Sequence, residues 1–352
     1  MIRTQTTIRF FTLSLFRSKV MTWALLMTFC FVNPAYAVDK KTKGSVQQKS
    51  EQKKTVIDFD QTGIPVPNRP KVPGKLLVRL RSRVETEKGS GKIRTVVREQ
   101  EWNASETMII ICDMWDDHYC QLAAQRVDMM APKMNRVITA ARNHGVMIVH
   151  APSGTMDHYE KTEYRKRMKQ TKFAESPVPL GKWCYLNPEK EAKMPVDTTK
   201  SACDDPIVGA RVRRYSKQHA GIKIIGYDGV SDKGQEIYNF IQQEGIKNVV
   251  LMGVHTNMCV LGRPFGLRQM KYLGLNVALA RDLTDAMYDP REYPYVSHTR
   301  GTQLVIEHIE QYWNPSLDSV DLTNIIPGSA DPDPEVAKSK QEQKATVTAT
   351  EK

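Results

Sequence analysis

The sequence lacks any hydrophobic run long enough to cross a membrane. The longest, VMTWALLMTFCFV at residues 20–32, falls short of the roughly 20 apolar residues that a spanning helix needs. It follows a stretch with four basic and no acidic residues and precedes Ala35-Tyr36-Ala37, a small-x-small pattern. We therefore expect residues 1–37 to be a signal peptide cut after Ala37. The mature protein would be exported, periplasmic or extracellular, with no stable membrane span; a retained anchor is the alternative.

The sequence also lacks the grouped basic and aromatic residues of a nucleic-acid-binding surface. Loss of the four basic residues of the leader lowers the formal net charge from +12 to +8. Apart from the run Arg165-Lys166-Arg167, the lysines and arginines are scattered, and we interpret that run as a solvated helix face. We therefore predict no nucleic-acid partner.

Internal repeats are not visible, and both ends of the chain are poor in residues that could form a core. The polar, lysine-rich composition predicts a flexible linker at 38–74 and a disordered tail at 328–352. The intervening residues 75–327 have a length that suits one large domain. Within them, residues 75–102 alternate apolar and charged positions around Gly89-Ser90-Gly91, which predicts an exposed β-ribbon.

From residue 107 onwards, short apolar runs alternate with helical patterns. The predicted strands are TMIIIC, VMIVHAP, GIKIIG, NVVLMGV and NVALARD, and residues 156–219 are a charged, proline-containing insertion that we expect to cover the pocket. This alternation predicts an α/β fold with a doubly wound, mostly parallel sheet, Rossmann-like in three layers, with an N-terminal strand extension. Its site would lie beyond the carboxyl ends of the strands.

Two residues fall at such strand ends. Asp113 directly follows TMIIIC, and the bulky Met114-Trp115 after it suggests the lining of a pocket rather than a turn. Cys259 lies in the turn GVHTNMCV, where we expect it to open a helix. A helix N-terminus favours thiolate over thiol, and free N–H groups there could stabilise an oxyanion. A small buried hydrophobe is the alternative interpretation of this cysteine.

The segments NVVLMGVHTNMCVLG and IIICDMW resemble the isochorismatase-like cysteine hydrolases, the superfamily that includes nicotinamidases and N-carbamoylsarcosine amidases. The resemblance spans roughly residues 105–315 and implies the isochorismatase-like form of the α/β fold. It also implies that Cys259 is the nucleophile and Asp113 its proton acceptor. The Val254–His255 bond would be a cis peptide, and the N–H groups of His255 and Cys259 would form the oxyanion hole.

The chain departs from that family at its lysine, which ends the third strand. Laid on the family pattern around Tyr227-Asp228, the sequence has Ile224 in the place of the lysine. Lys223 could serve if the strand register differs by one residue, because adjacent residues of a strand point to opposite faces. A solvated lysine is the alternative, and Asp228 could contribute a charge to the pocket instead.

Further residues are candidates for the pocket. Trp115 and His118 follow Asp113, and Arg281 and Asp282 end the predicted fifth strand. A structural hydrogen bond for His118 and an internal ion pair for Arg281 and Asp282 are the alternatives. The Asp-x-His metal signature of nicotinamidases is absent after the second strand. We therefore predict neither a metal nor a cofactor.

The cysteine count beyond the leader is odd, which leaves at least one thiol unpaired in an exported protein. Cys112 is expected to be buried in its strand, and Cys184 and Cys203 fall in the insertion, where they could bridge. Cys120 could be inert, paired or near the pocket.

These features together predict an exported, metal-independent hydrolase in which Cys259 cleaves a small amide or related C–N bond through a thioester. The amide comes from the resemblance. One alternative is a binding or scaffold protein that keeps the fold without turnover, and another is a hydrolase of the isochorismatase type that needs no thiol. The partner would be a small-molecule substrate, and homo-oligomerisation stays open.

Overall fold

The structure, a computed structural model, describes Arg69 and residues 74–327. The predicted leader, nearly all of the predicted linker and the predicted tail lie outside these residues. Among the described residues, no helix has both the length and the apolar character that a bilayer span requires.

From β3 to α7, strands alternate with helices, although not every strand lies where the pattern predicts it. The strands are β1 Gly74–Glu85, β2 Ile93–Asn103, β3 Thr107–Cys112, β4 Met147–Ala151, β5 Gly229–Val230, β6 Asn248–Val254, β7 Asn276–Asp285, β8 Ser316–Leu317 and β9 Ile326–Pro327. The helices are α1 Gln121–Asn143, α2 Met156–Tyr159, α3 Glu163–Lys169, α4 Gly234–Gln243, α5 Cys259–Gly262, α6 Leu267–Tyr272 and α7 His298–Tyr312. Short 3-10 turns cover Ala104–Glu106 and Ser319–Leu322.

Within the described part of the chain, nine strands form one sheet. Its order is β2-β1-β8-β7-β6-β3-β4-β5, and β9 pairs with β1. Strands β3 to β8 pair in parallel, whereas β1 is antiparallel to β2, β8 and β9. The predicted α/β class with a mostly parallel sheet is confirmed, and the β1–β2 hairpin is the predicted N-terminal strand extension.

The sheet has a hydrophobic layer on each face. Alternate residues of β3 belong to different clusters: Ile109 and Ile111 pack with α1, while Met108 and Ile110 pack with the apolar faces of α4, α6 and α7. All six residues of β3 are buried, as expected for a central strand covered on both sides. Helices on both faces make the predicted three-layer arrangement.

The chain reverses direction across the sheet between β3 and β6. From β3 it proceeds through α1 to β4 and then to β5, and it returns through α4 to β6 on the other side of β3. The connections that leave the carboxyl ends of β3 and β6 therefore run in opposite directions and leave a crevice between them. Doubly wound sheets bind their ligands in such a crevice. Asp113 follows β3 and Cys259 follows β6 at this crevice.

The prediction of a third strand at GIKIIG is wrong. The strand that pairs with β4 is the two-residue β5, and residues 221–226 have no regular structure. Their backbone N–H groups bond to side chains instead: Lys223 N to Asn135 Oδ1 at 2.9 Å, and Ile225 N to Asp228 Oδ2 at 3.0 Å. The apolar composition predicted a buried strand, but Ile225 is 45% exposed.

The fifth predicted strand is longer than expected. Strand β7 continues beyond Asp282 to Asp285, and its register with β6 shifts between Leu251 and Gly253. Arg281 and Asp282 therefore lie within the strand rather than at its end. The end of β7 instead presents Asp285 near the turn that follows β6.

The insertion consists of α2 and α3 followed by a long irregular segment. Buried polar contacts attach this segment to the core: Glu191 carboxylate oxygens lie 2.8 Å from Arg268 Nε and 2.9 Å from His308 Nε2. Near its end, Gln218 forms an isolated bridge with Trp115. The insertion thus passes directly over the carboxyl end of β3.

Candidate functional site

Asp113 is held rigidly at the end of β3. It is fully buried, and its backbone φ is 47°, a left-handed conformation that is uncommon for a residue with a side chain. Its N–H donates to Ala151 O at 3.1 Å, and its Oδ1 accepts the N–H of Ser153 at 2.7 Å. These bonds direct the carboxylate towards the crevice.

The turn after β6 brings Cys259 to the same place. Gly253 has φ 109°, and a Cβ there would lie 2.0 Å from Cys112 O, so only glycine permits β6 to pass β3 this closely. The Val254–His255 peptide is cis, as the resemblance implies. The carbonyl of His255 accepts the N–H groups of Met258 and Val260 at 2.9 and 3.2 Å.

Arg263 forms an ion pair with Asp113, in which the Asp113 side chain is fully buried and the Arg263 side chain is partly exposed. Its Nε and Nη2 lie 3.1 and 2.9 Å from Asp113 Oδ2. Burial opposes the charge of Arg263, but the Asp113 carboxylate raises the pKa of the guanidinium above its ordinary value. The other face of the guanidinium lies 5.5 Å from the centre of the Trp183 ring, a cation–π distance. A fixed positive charge therefore stands beside the carboxylate.

The side chain of Cys259 rests in this charged environment as a thiol. Burial raises the pKa of Cys259 well above its ordinary value, and Asp113 raises it further, while Arg263 and the His255 N–H act in the opposite direction. Burial and the Asp113 charge therefore outweigh the groups that favour the thiolate at Cys259, and the four-residue helix α5 adds only a small dipole. Deprotonation of Cys259 therefore requires a base, and Asp113 lies beside it.

A cavity of about 280 Å³ opens onto Cys259. Its lining comes from the segments that follow β3, β6 and β7 and from the end of the insertion. The lining residues are Trp115, His118, Tyr119, Arg211, Val212, Arg213, Tyr215, His255, Met258, Cys259 and Met287. Trp115 and Tyr215 stack at 4.3 Å between ring centres. A cavity of this size suits a small molecule.

Two histidines of the cavity are held neutral. Burial lowers the pKa of His255 to about 3, and burial also lowers the pKa of His118 below its ordinary value. The two rings lie 5.1 Å apart. The Nε2 of His255 is buried and has no hydrogen-bond partner in the described structure, so it can bind a ligand.

The structure brings most of the predicted site residues together. Asp113 and Cys259 interact directly, and Trp115, His118 and His255 line the cavity beside them. Val254 is buried at the cis peptide. The oxyanion role of the His255 and Cys259 N–H groups stays a prediction.

Lys223 and Asp228, by contrast, belong elsewhere. Lys223 is exposed, and its Nζ donates to Ala220 O at 2.9 Å. The Asp228 carboxylate accepts two bonds of 2.8 Å from Arg142 and lies 3.0 Å from His150 Nε2. Asp228 thus neutralises a buried arginine. Neither residue is in the cavity, because the expected third strand is absent.

Arg281 and Asp282 are also outside the cavity. Arg281 Nη2 lies 3.2 Å from Asp318 Oδ2, and Asp282 Oδ2 lies 2.6 Å from Lys133 Nζ. Asp282 also accepts the N–H and hydroxyl of Ser319. The alternative of structural ion pairs is therefore the observed one, although each residue pairs with a neighbour rather than with the other.

Within residues 74–327, the side chains able to gather around a metal ion are Cys120, Cys203 and Asp205, whose ligand atoms lie within 4.8 Å of one another. They do not line the cavity. Asp205 is already engaged, since its two oxygens accept the N–H groups of Gln121 and Leu122, each at 2.9 Å. Cys184 lies apart from them: its N–H donates to Gly262 O at 2.7 Å.

Sequence reasoning missed Arg263 and the cavity residues of the insertion. Arg263 lies four positions after Cys259, and a basic residue one helical turn beyond a candidate nucleophile is a signal that could have identified it. The cavity residues at 211–215 lie in an irregular segment, where no periodicity indicates which side chains face inwards.

No family model matches the chain, and no curated protein matches it. Solved structures with a similar fold include a cysteine hydrolase and several proteins of the isochorismatase family. One is a cysteine hydrolase from Pseudomonas syringae pv. phaseolicola 1448A, at 13% identity and TM-score 0.39, covering 63% of this chain and 92% of that one. Another is an isochorismatase-like hydrolase from Alkaliphilus metalliredigens, at 12% identity and TM-score 0.35, covering 63% and 98%.

A third structure is the N-carbamoylsarcosine amidase from Thermoplasma acidophilum, at 12% identity and TM-score 0.30, covering 53% of this chain and 87% of that one. These values describe a likeness of fold.

Proposed function

We propose that this chain is an exported hydrolase that uses Cys259 to cleave a small amide or related C–N bond. The observation that carries the proposal is the position of the Cys259 thiol, which lines the cavity beside the buried Asp113 carboxylate, itself paired with the partly exposed Arg263 guanidinium. Nucleophile, base and a group that orients the base are the parts that covalent catalysis requires.

In the first half of the reaction, Asp113 accepts the thiol proton as the Cys259 sulfur attacks the substrate carbonyl. The N–H groups of His255 and Cys259 are suited to stabilise the resulting oxyanion. Asp113 then returns the proton to the leaving nitrogen, the C–N bond breaks, and the acyl group remains on Cys259 as a thioester.

In the second half, Asp113 accepts a proton from water, whose oxygen attacks the thioester. Collapse of the tetrahedral intermediate expels the sulfur of Cys259, which regains its proton. The net reaction consumes one amide and one water and yields an acid and an amine. Arg263 orients Asp113 and keeps its charge paired between these steps, a positioning role that the family lysine would otherwise fill.

The experiment is a search for turnover and for the thioester. Protein lacking the leader is incubated with a panel of small primary amides and ureido compounds; ammonia release is measured, and acid-quenched protein is weighed by mass spectrometry. We expect ammonia and an acyl adduct on Cys259, and neither with Cys259→Ala. Cys184→Ala is the matched control, because Cys184 is only half-buried and does not line the cavity.

A binding protein without turnover is the second candidate. The observation in its favour is the raised pKa of the Cys259 thiol at rest, together with the exposed position of Lys223. Saturable binding of small amides without ammonia release or an acyl adduct would support this candidate over the hydrolase.

Export is tested separately. We propose cleavage after Ala37, and expression of the full chain in a bacterial host followed by N-terminal sequencing of the exported protein checks it. A product that begins at Val38 is expected; a protein that keeps its first residues in the membrane fraction would contradict cleavage.

A further inference from the structure

Two arginines of the insertion face the cavity without an acidic partner. Arg211 and Arg213 both line the cavity, and their guanidinium groups donate to backbone carbonyls: Arg211 to Lys200 O, and Arg213 to Gly154 O at 2.5 Å. No ion pair joins either of them to a carboxylate in the described structure. The next residue, Arg214, does have an acidic partner, because its Nε lies 2.9 Å from Asp117 Oδ2.

The cavity contains nothing that would neutralise these two charges. Its described lining includes no Asp or Glu, and Asp113 is committed to Arg263. The histidines of the lining, His118 and His255, are neutral. The cavity therefore has a positive mouth above an apolar and neutral interior, and such a field attracts anions.

A second observation in the same cavity also indicates a missing ligand. The Nε2 of His255, on a side chain only 3% exposed, has no hydrogen-bond partner. A buried polar atom without a partner is unfavourable, and a ligand in the cavity would satisfy it. His255 adjoins Cys259 across the turn, whereas the arginines come from the insertion on the other side.

We propose that the cavity binds a small amide that carries a carboxylate group. The carboxylate is held by Arg211 and Arg213, a polar atom of the substrate bonds to His255 Nε2, and the carbonyl to be attacked lies at Cys259. Only the placement of the substrate carbonyl at Cys259 rests on the proposed function; the carboxylate site does not. Arginine suits this role because its planar donors match a carboxylate.

The test compares two reagents that differ only in this charge. Iodoacetate and iodoacetamide both alkylate thiols, but only iodoacetate carries a carboxylate. Peptide mass spectrometry measures the alkylation rate of Cys259 with each reagent, which gives the ratio of the iodoacetate rate to the iodoacetamide rate. The normalised ratio is this value divided by the same ratio at Cys184, which lies outside the cavity. We expect a normalised ratio well above one that falls with added salt, because salt screens exposed charges.

Substitution of both arginines should remove the preference. In Arg211→Gln/Arg213→Gln the normalised ratio is expected to fall by about 10-fold, the effect of losing hydrogen bonds to a charged group. The control is Arg136→Gln/Lys166→Gln, which removes the same net charge from two exposed residues that do not line the cavity. A ratio near one in the unmodified protein, or an equal fall in the control, would overturn the proposal.

A binding measurement keeps the test decisive if Cys259 alkylates slowly. Calorimetry on Cys259→Ala compares succinamate with succinamide, which replaces the carboxylate by an amide. Tighter binding of succinamate by about 10-fold, lost in Arg211→Gln/Arg213→Gln, is expected; equal affinity, or no binding of either, contradicts the proposal. Anion preference without hydrolysis of any amide would refute the proposed function alone, and hydrolysis of neutral amides without preference would refute this inference alone.

Discussion

Arg263 holds Asp113 through two N–H groups that share one carboxylate oxygen, at 3.1 Å from Nε and 2.9 Å from Nη2. The other oxygen of Asp113 accepts the backbone N–H of Ser153. A carboxylate that is bonded on both sides cannot rotate away from the Cys259 thiol beside it. Arg263 therefore keeps a positive charge next to the Asp113 carboxylate, although Lys223 lies outside the cavity.

We first predict that Asp113→Asn separates thiol acidity from turnover. The charge of Asp113 raises the pKa of Cys259, so its loss leaves Arg263 unopposed and moves the midpoint of iodoacetamide labelling to lower pH. Hydrolysis should fall by about 10²–10⁴-fold, because the base is gone. The wild-type midpoint should lie above the ordinary thiol value of about 8.5. A midpoint that stays in place or rises in the variant would contradict this account.

The second prediction concerns the ion pair itself. Arg263→Gln leaves Asp113 buried without its cation. Because the Arg263 side chain is 27% exposed, we expect the loss of unfolding free energy to be that of an unsatisfied buried group, about 1–3 kcal/mol, rather than that of a fully buried pair. Arg263→Lys keeps the charge but not the two-donor grip, so it should be less destabilised and retain part of the turnover. Urea unfolding of both variants beside wild type measures this order. If Arg263→Gln and Arg263→Lys had equal unfolding free energies, the positive charge at this position would not be what stabilises the buried Asp113.

Third, the cluster at the end of β7 should lose stability in alkali. His298 lies 2.9 Å from Asp285 and 3.3 Å from Asp204. Burial opposes its charge, but the two carboxylates raise the pKa of His298 from 6.5 to about 9, with Arg126 opposing them. Because the pKa of His298 is raised in the folded state, its charge stabilises the protein fully below pH 6.5. This stabilisation is lost as the pH rises through about 9.

The measurement for this third prediction is urea unfolding of wild type and His298→Gln between pH 6 and 10. The advantage of wild type over the variant in unfolding free energy should shrink as pH rises through the folded pKa. A difference that stays constant across this window would show that the histidine is not charged in the folded protein.

Fourth, oxidation should join Cys120 to Cys203 rather than Cys184 to Cys203. The sulfurs of Cys120 and Cys203 lie within 4.8 Å in a buried cluster with Met287, whereas Cys184 adjoins Gly262. With oxidised glutathione, two thiols become one disulfide as the reagent is reduced to two glutathione molecules. Mass spectrometry of unreduced peptides identifies the pair, and Cys120→Ser is the control; a Cys184–Cys203 peptide would contradict the placement.

The hydrophobic pattern of the sequence predicted the fold and the positions of Asp113 and Cys259 after strands, and the family resemblance implied that the two residues act together. Apolar runs alternating with helical patterns specify parallel strands with crossover helices, and the carboxyl ends of neighbouring parallel strands share one edge of the sheet. Both residues follow strands whose every residue is buried, so the hydrophobic pattern located those strands correctly.

Other parts of the site depended on the tertiary structure. Lys223 is a candidate because the resembling family has a lysine at the end of its third strand, which GIKIIG was predicted to form. The side chains of Asn135 and Asp228 bond to the backbone of this segment instead, and it does not join the sheet. The cation that Asp113 uses comes from Arg263, beyond the turn, and the positive mouth comes from an irregular insertion. Local sequence patterns report periodic burial, whereas these contacts join residues far apart in the chain that only folding brings together.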